Sequence, residues 1–522
     1  MQIFRCSHAA ARIFFYFTSS DYIRLRPCRR PAADRASFPL LLEFPMCEPP
    51  RPVSGASPSA TPLTQSLLLA LPTELLARII SLCSSPVEIV RASAISRHFH
   101  ELAKEAMSLR AEELDYELPT HPEESTLKPT HPEEGTLKGL CFVALLREAN
   151  LKATLAAGEW HSLFIDGEGR LCSCGTETDA GPMILGYGEV RGVEELMTPT
   201  RLPSTLGGEH AVAVSASAFN SCAITSSGAV WSWGEGFARH ENSENQSQPK
   251  RIEAFVGQRV LAVSAGYQCN LAITADGAVW SWGCVLGHLG RGGAGSAPNK
   301  IEALSGQYVV SVAVGGAHRL AVTIDGGVWS WGHGGDGRLG HGCRQCIQHR
   351  PKRIEALAGQ HVVDVAAGRN FSLALTTDGS VWSWGVGLFG RLGHGSLQDQ
   401  LLPKKIEALA GQRVVAVSAG SEFAFARTAD GALWSWGFGD FGCVGHGVDE
   451  QHEPEPKKIE AFAGRRVVAV SAGAYHSLAR TSDGVVWSWG RAGASLGHGE
   501  DEFHDQLSPK RIEVWSRQPT IA

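Results

Sequence analysis

The sequence predicts a mainly β protein, a seven-bladed β-propeller over residues 151–522 preceded by a small α-helical module over 66–115. Three observations carry this. The tetrapeptide Trp-Ser-Trp-Gly ends at Gly234, Gly283, Gly332, Gly385, Gly437 and Gly490, with gaps of 49 to 53 residues, and a degenerate Leu-Cys-Ser-Cys-Gly ends at Gly175, giving seven units. Each unit divides into short apolar runs that alternate at period two between glycine turns. Upstream, Leu71 to Glu105 carries apolar residues at helical spacing. A fixed period of this length means that one unit cannot bury its own face and must stack on its neighbours.

In chain order, residues 1–65 form the leader. The first 45 residues hold seven Arg, no Lys and three acids, a bias shared with organelle transit peptides. The alternative is a disordered leader, since Met46 opens a Pro/Ser-rich segment and can itself be the start of translation. Thirteen cysteines, an odd number in scattered contexts, suit a reducing compartment. The expected location is therefore cytoplasmic, nuclear or both, with organelle import as the alternative. A net charge of −6 gives no bulk signature of polyanion binding. No apolar run approaches the roughly 18 to 20 residues that span a bilayer, so no membrane partner is expected.

The module at 66–115 reads as three short helices. Leu75, Leu76, Ile79, Ile80 and Leu82 form one apolar stripe. Ser85 is placed as an N-cap, with Pro86 at the first helical position and Glu88 completing a capping box. Ile89, Val90 and Ile95 continue an apolar face, and Phe99, Leu102 and Ala103 supply a third. About 45 residues bury too little surface to be stable alone, so a partner surface is expected. The order Leu71, Pro72, Glu74, Leu75, Leu76, Ile79, then Ile95, Ser96, Arg97, Phe99, Leu102 and Ala103 resembles the F-box. That resemblance implies docking onto the Skp-type adaptor of cullin-RING ubiquitin ligases through these residues. A plain helical cap packed on the propeller is the alternative. Residues 116–150 read as a linker, with a tandem Thr-His-Pro-Glu-Glu-(Ser/Gly)-Thr-Leu-Lys copy at Thr120 and Thr130 and a short apolar segment that suits either a helix or a strand.

Within the propeller, the unit Pro351 to Gly395 parses into strands at "HVVDVAAG", "FSLALTT" and "SVWSWG". Asp378-Gly379 supplies the positive φ of a tight hairpin turn, as do Asp276-Gly277, Asp325-Gly326, Asp430-Gly431 and Asp483-Gly484. Twelve of the fourteen Trp lie in the six Trp-Ser-Trp triplets, which predicts packing between blades rather than ligand binding. Six Pro-x-(Lys/Arg)-Ile-Glu strands flank the units, and the last, at Pro509, has no unit after it. The expectation is that this C-terminal strand pairs into the first blade and closes the ring. The combination "VSAG…HSLA.T.DG.VWSWG…LGHG" resembles the regulator of chromosome condensation (RCC1-like) repeat family, whose fold is a seven-bladed propeller. His161, His318 and His476 share a slot with Asn220, Cys269, Phe371 and Phe423, which argues against a ring-wide role for those histidines.

Four candidate sites stand out. His341, Cys343, Cys346 and His349 are metal-competent groups within nine residues, but His394, His446 and His498 occupy the slot of His341 without such neighbours, so no zinc site is expected. Cys172 and Cys174 stand where other blades have Trp and read as inert packing. The basic pairs Lys250/Arg251, Lys352/Arg353, Lys404/Lys405, Lys457/Lys458 and Lys510/Arg511 could line a rim that binds phosphate, nucleic acid or chromatin. Nearby glutamates favour a solvated strand edge instead. No catalytic order, phosphate loop or cofactor motif stands out, so no catalytic, metal or cofactor residues are assigned. The expectation is a non-catalytic substrate receptor of a ubiquitin ligase, with adaptor and cullin at the helical end and an unknown target protein on a propeller face. Two alternatives come from the family resemblance: an exchange factor or regulator of a small GTPase, and a light sensor like the related plant ultraviolet-B photoreceptor. Nucleotide-release assays and an ultraviolet difference spectrum respectively test them.

Overall fold

The computed structural model describes residues 153–513 apart from 178–183, 189–194, 205, 236–244, 268, 284–288, 292–295, 450–451 and 500–503, together with a two-residue strand pair, Ile13–Phe14 with Arg26–Pro27. The expected F-box-like module, with the residues from Leu71 to Phe99 expected to meet an adaptor, and the expected linker lie outside the described residues.

Residues 155–201, 211–251, 260–300, 309–353, 362–405, 414–458 and 467–511 form seven four-stranded antiparallel sheets, the blades of a propeller. Each uses its strands in chain order from hub to rim. In blade five these are Val362–Ala367, Phe371–Thr376, Val381–Gly385 and Gln400–Lys405. The hairpin between the second and third strands turns at Gly379 with φ 83. Asp378 fixes it by accepting from the Thr376 hydroxyl and from the Ser380 N–H at 3.0 Å.

The Trp triplets pack blade against blade, as their spacing predicts. The second Trp of each triplet is fully buried. Four of them, Trp233, Trp384, Trp436 and Trp489, donate their indole N–H at 2.9 Å to a carbonyl in the preceding blade's loop. The first glycine of each Gly-His-Gly explains itself here, because Gly393 has φ 75 and a Cβ on it would lie 3.0 Å from Trp436 Nε1. A second clasp involves the histidine beside it. Nε2 of His341, His394, His446 and His498 lies 2.9 to 3.0 Å from the hydroxyl of the serine inside the same blade's triplet.

The innermost strands meet at the hub. The serine of "VSAG", spelled "VSAS" in blade two, joins neighbours by accepting from the next blade's backbone: Ala265 N to Ser215, Val314 N to Ser264, Ala472 N to Ser418 and Ala157 N to Ser471, at 2.9 to 3.2 Å. The glycine that follows leaves no room for a side chain, since a Cβ on Gly420 would come 2.5 Å from the carbonyl oxygen of Gly473.

The expected closure is corrected. The C-terminal strand Gln506–Arg511 pairs with Val486–Gly490 of its own blade, not with blade one. Blade one supplies its own outer strand, Glu195–Arg201. The misreading arose because Pro-x-(Lys/Arg)-Ile-Glu can be cut as the first strand of one unit or the last of the previous one, and blade one spells it as Pro-Thr-Arg-Leu. The buried residue after it is Leu202 where other blades have Ile252, Ile301, Ile354, Ile406, Ile459 and Ile512. The seam between blades seven and one closes through side chains. Leu155, Ala157, Phe164, Cys172 and Cys174 share a core with Ala469, Leu478, Val486 and Ile512. His476 Nε2 lies 2.8 Å from Ser162 Oγ, and Ala474 N donates to Gly158 O at 3.0 Å.

Candidate protein-binding face

Strand polarity sorts the loops. In each blade the start of the second strand pairs with the end of the third, as His161 does with Gly175 and Phe423 with Gly437. The hub turns and the long third-to-outer loops therefore share one face, and the Asp-Gly hairpins lie on the other.

On the hairpin face the basic pairs are answered locally. Arg353 lies 3.7 Å from Asp325, and the single Lys300 at the equivalent position of blade three lies 4.0 Å from Asp276. Lys458 and Arg511 act in the same way on Asp430 and Asp483, whose carboxyls are held below the usual range first by the Thr428 and Thr481 hydroxyls. The first members of the pairs, Lys352, Lys404, Lys457 and Lys510, lie near the Gly-His-Gly histidines. Burial is the main reason these histidines titrate near 4, and the lysines add to it. This is the geometry of a solvated strand edge.

The loop face is different. In the third-to-outer loops of blades five and six, Phe389 and Phe441 occupy left-handed backbone, φ 61 and 60, a conformation that bulky residues rarely hold. Both are half-buried. Phe389 meets Phe438 with ring centroids 5.1 Å apart and His452 at 4.8 Å, and Phe438 stacks on His452 at 5.4 Å. Phe438 continues to Phe441 at 6.3 Å, and Phe441 to Tyr475 at 6.0 Å. The Arg491 guanidinium closes the path, 5.5 Å from the Phe441 and Tyr475 rings and 5.8 Å from that of Trp160. An aromatic path thus crosses blades five, six, seven and one. Its ends are open to solvent, with Leu388 50% and Trp160 37% exposed.

Beneath and beside this path lie charges. Arg391 is buried, sits 5.4 Å from the Phe389 ring and forms an ion pair with Glu422 across the blade boundary. Burial raises the Glu422 carboxyl despite that pairing, and it lowers Arg391. Near the hub mouth, burial raises Glu159, with the fields of Arg369 and Arg491 opposing. The hub itself is a cavity of about 140 Å³ lined mostly by alanine and glycine, with Glu159, Tyr267, Arg369 and Tyr475 at its wall. That is below the roughly 300 Å³ at which small-molecule pockets begin. The aromatic path lies on the broad face around it.

The other sequence candidates resolve separately. His341 faces Ser330, and Cys343 and Cys346 are joined to each other as a disulfide, so the nine-residue cluster does not converge on one point. Cys172 and Cys174 are buried, and burial pushes the Cys172 thiol up to about 12. The residues that sequence reasoning missed are Glu159, Trp160, Arg369, Phe389, Phe441, Tyr475 and Arg491. Their signal lies in slots where the units differ: the two positions after "AG", the position after the triplet's glycine, and the residue before the glycine of "FGRLGHG".

Comparison with known proteins agrees with this architecture. The RCC1-like domain profile matches residues 239–522, and the regulator of chromosome condensation (RCC1) repeat matches 211–238. The chain is 42% identical over 190 residues to the human E3 ubiquitin-protein ligase HERC2, covering 36% of this chain and 4% of that protein. It is 41% identical over 182 residues to the ultraviolet-B receptor UVR8 of Arabidopsis thaliana, covering 34% of this chain and 40% of the receptor. Among solved structures, Prp20p from Saccharomyces cerevisiae superposes with a TM-score of 0.59 at 24% identity, over 70% of this chain and 89% of that one, a likeness of fold. With seven contiguous blades and a profile match that spans more than half of its length, the chain belongs to the RCC1-like domain family.

Proposed function

We propose that this chain is a non-catalytic protein-interaction scaffold, the substrate-receptor subunit of a cullin-RING ubiquitin ligase. The propeller holds the target protein on its loop face, and the F-box-like segment holds the Skp-type adaptor through Leu71, Pro72, Glu74, Leu75, Leu76, Ile79, Ile95, Ser96, Arg97 and Phe99. The observation that carries the target-binding half is the half-buried path between exposed Leu388 and Trp160, which presents Trp, Tyr and Arg together, the side chains that dominate binding energy at protein interfaces. Similarity to a human ubiquitin ligase supports the pathway, although the match covers 4% of that protein.

The test uses the intact chain. Purified adaptor should be pulled down by the wild type, and Leu75→Asp with Ile79→Asp should abolish capture while the propeller keeps its circular dichroism. A folded wild-type chain that captures no adaptor overturns the adaptor half. For the target half, proteins that copurify with the wild type should be lost at least about tenfold from Trp160→Ala with Arg491→Glu. Equal recovery would place the binding surface elsewhere.

A further inference from the structure

The cysteines outside a disulfide among the described residues, Cys172, Cys174, Cys222, Cys269 and Cys443, are all buried. Cys343 and Cys346 are half-buried and joined to each other. They sit in the third-to-outer loop of blade four, and that loop differs from those of the other Trp-Ser-Trp blades. The third strand, Val328–His333, runs one residue past its glycine, and His333 pairs with Ile347, the residue after Cys346. Gly334 N donates to the Cys346 carbonyl at 2.6 Å, and Asp336 N donates to the Arg344 carbonyl at 2.8 Å. Arg344, between the cysteines, reaches into the next blade: its guanidinium lies 3.1 Å from Asp399, which also accepts from Gly387 N at 3.0 Å. The four residues from Cys343 to Cys346 therefore tie the loop to its own blade by backbone and to blade five by charge.

We propose that Cys343 and Cys346 form a reversible thiol–disulfide exchange site, with a dithiol as reductant, whose oxidised form holds the blade-four loop in this arrangement. One thiolate of the dithiol attacks a protein sulfur, the Cys343–Cys346 bond breaks, and the released protein thiolate takes up a proton. The second thiolate of the dithiol then attacks the mixed disulfide and releases the other protein sulfur, which is also protonated. Two electrons pass to the protein, and the dithiol leaves as its disulfide. Reduction removes a crosslink across two intervening residues, frees the backbone of 343–346, and loosens the His333–Ile347 rung together with the Arg344–Asp399 pair. Among the described residues the exchange is selective, since each cysteine outside the disulfide is buried.

The experiment equilibrates the intact protein with graded ratios of reduced and oxidised dithiothreitol, traps thiols by alkylation, denatures and digests with trypsin. Cleavage after Arg344 makes the readout direct, because 339–344 and 345–352 run as one linked species when oxidised and as two alkylated peptides when reduced. The expected result is a reversible titration of the linked species with unchanged far-ultraviolet circular dichroism. In parallel, hydrogen exchange at Gly334 and Asp336 should accelerate at least about tenfold on reduction while the blade-seven hairpin stays protected. Cys343→Ser with Cys346→Ser should show the fast exchange at every ratio. A pair that never links, one that reduces only when the propeller unfolds, or loop exchange that ignores the redox state would each overturn the proposal.

Discussion

Three histidines at one repeated position show how a side chain can be needed in some blades and dispensable in others. His161, His318 and His476 are fully buried, with Nε2 2.7 to 2.8 Å from Ser221, Ser372 and Ser162 of the following blade. Ser372 and Ser162 already donate their hydroxyl protons to backbone carbonyls, at 2.9 and 2.7 Å, so His318 and His476 donate from Nε2. Their Nδ1 atoms have no hydrogen-bond partner in the structure. A proton added there would be buried without an acceptor, and burial accordingly lowers His161 and His318 to about 3 and His476 to about 4. The unfolded chain takes up these protons near pH 6.5 and the folded chain does not, so their stabilising effect is full above pH 6.5 and declines as the pH falls toward the folded values. His318→Phe installs the residue that blades five and six use in this slot. Urea unfolding of this variant between pH 6.5 and 4 should depend less steeply on pH than the wild type, by up to about 1.4 kcal/mol per pH unit. An unchanged slope would show that His318 is protonated in the fold.

At the scale of the element, Gly-His-Gly couples two blades through two glycines of unequal importance. Gly445 and Gly447 both hold left-handed backbone, φ 81 and 80, but a Cβ on Gly445 would lie 2.8 Å from the Trp489 indole nitrogen while one on Gly447 would meet nothing within 4 Å. Gly447→Ala should therefore cost only the conformational penalty of about 1 kcal/mol, and Gly445→Ala about 2 to 4 kcal/mol once overpacking is added. Thermal unfolding of the two variants separates the terms, and equal losses would sink the assignment. Elements of this kind were legible in the sequence because repetition exposed them. The triplets, the Asp-Gly hairpins and the histidine slots recur at fixed intervals, and each recurrence reflects one packing requirement. The candidate face was not legible for the converse reason. Phe389 and Phe441 stand where blade four has Asp336, also at positive φ, 57, so the backbone slot is shared and only the projecting side chain differs. Nothing in periodicity brings Trp160 of blade one beside Arg491 of blade seven. That contact exists only after the ring has closed.

At the scale of the molecule, closure was the part the repeats misled on, since a periodic string does not reveal which side of a strand is its boundary. The ring has no strand shared across its ends. Its seam is made by the same kinds of contact as every other blade boundary, such as His476 with Ser162, but between residues 314 apart in the chain. Contacts across such a separation form late in folding. His476→Phe should therefore accelerate unfolding and leave the folding rate nearly unchanged, whereas His318→Phe, bridging 54 residues, should divide its effect between the two. Stopped-flow kinetics of both variants measure this, and a slower folding rate for His476→Phe would contradict it. Contiguous blades carry a further consequence, for descent rather than folding. One in-frame stretch of about fifty codons encodes a whole blade, with all four strands and both mating surfaces, so a single duplication or deletion anywhere along the ring adds or removes an intact unit and never leaves half of one behind.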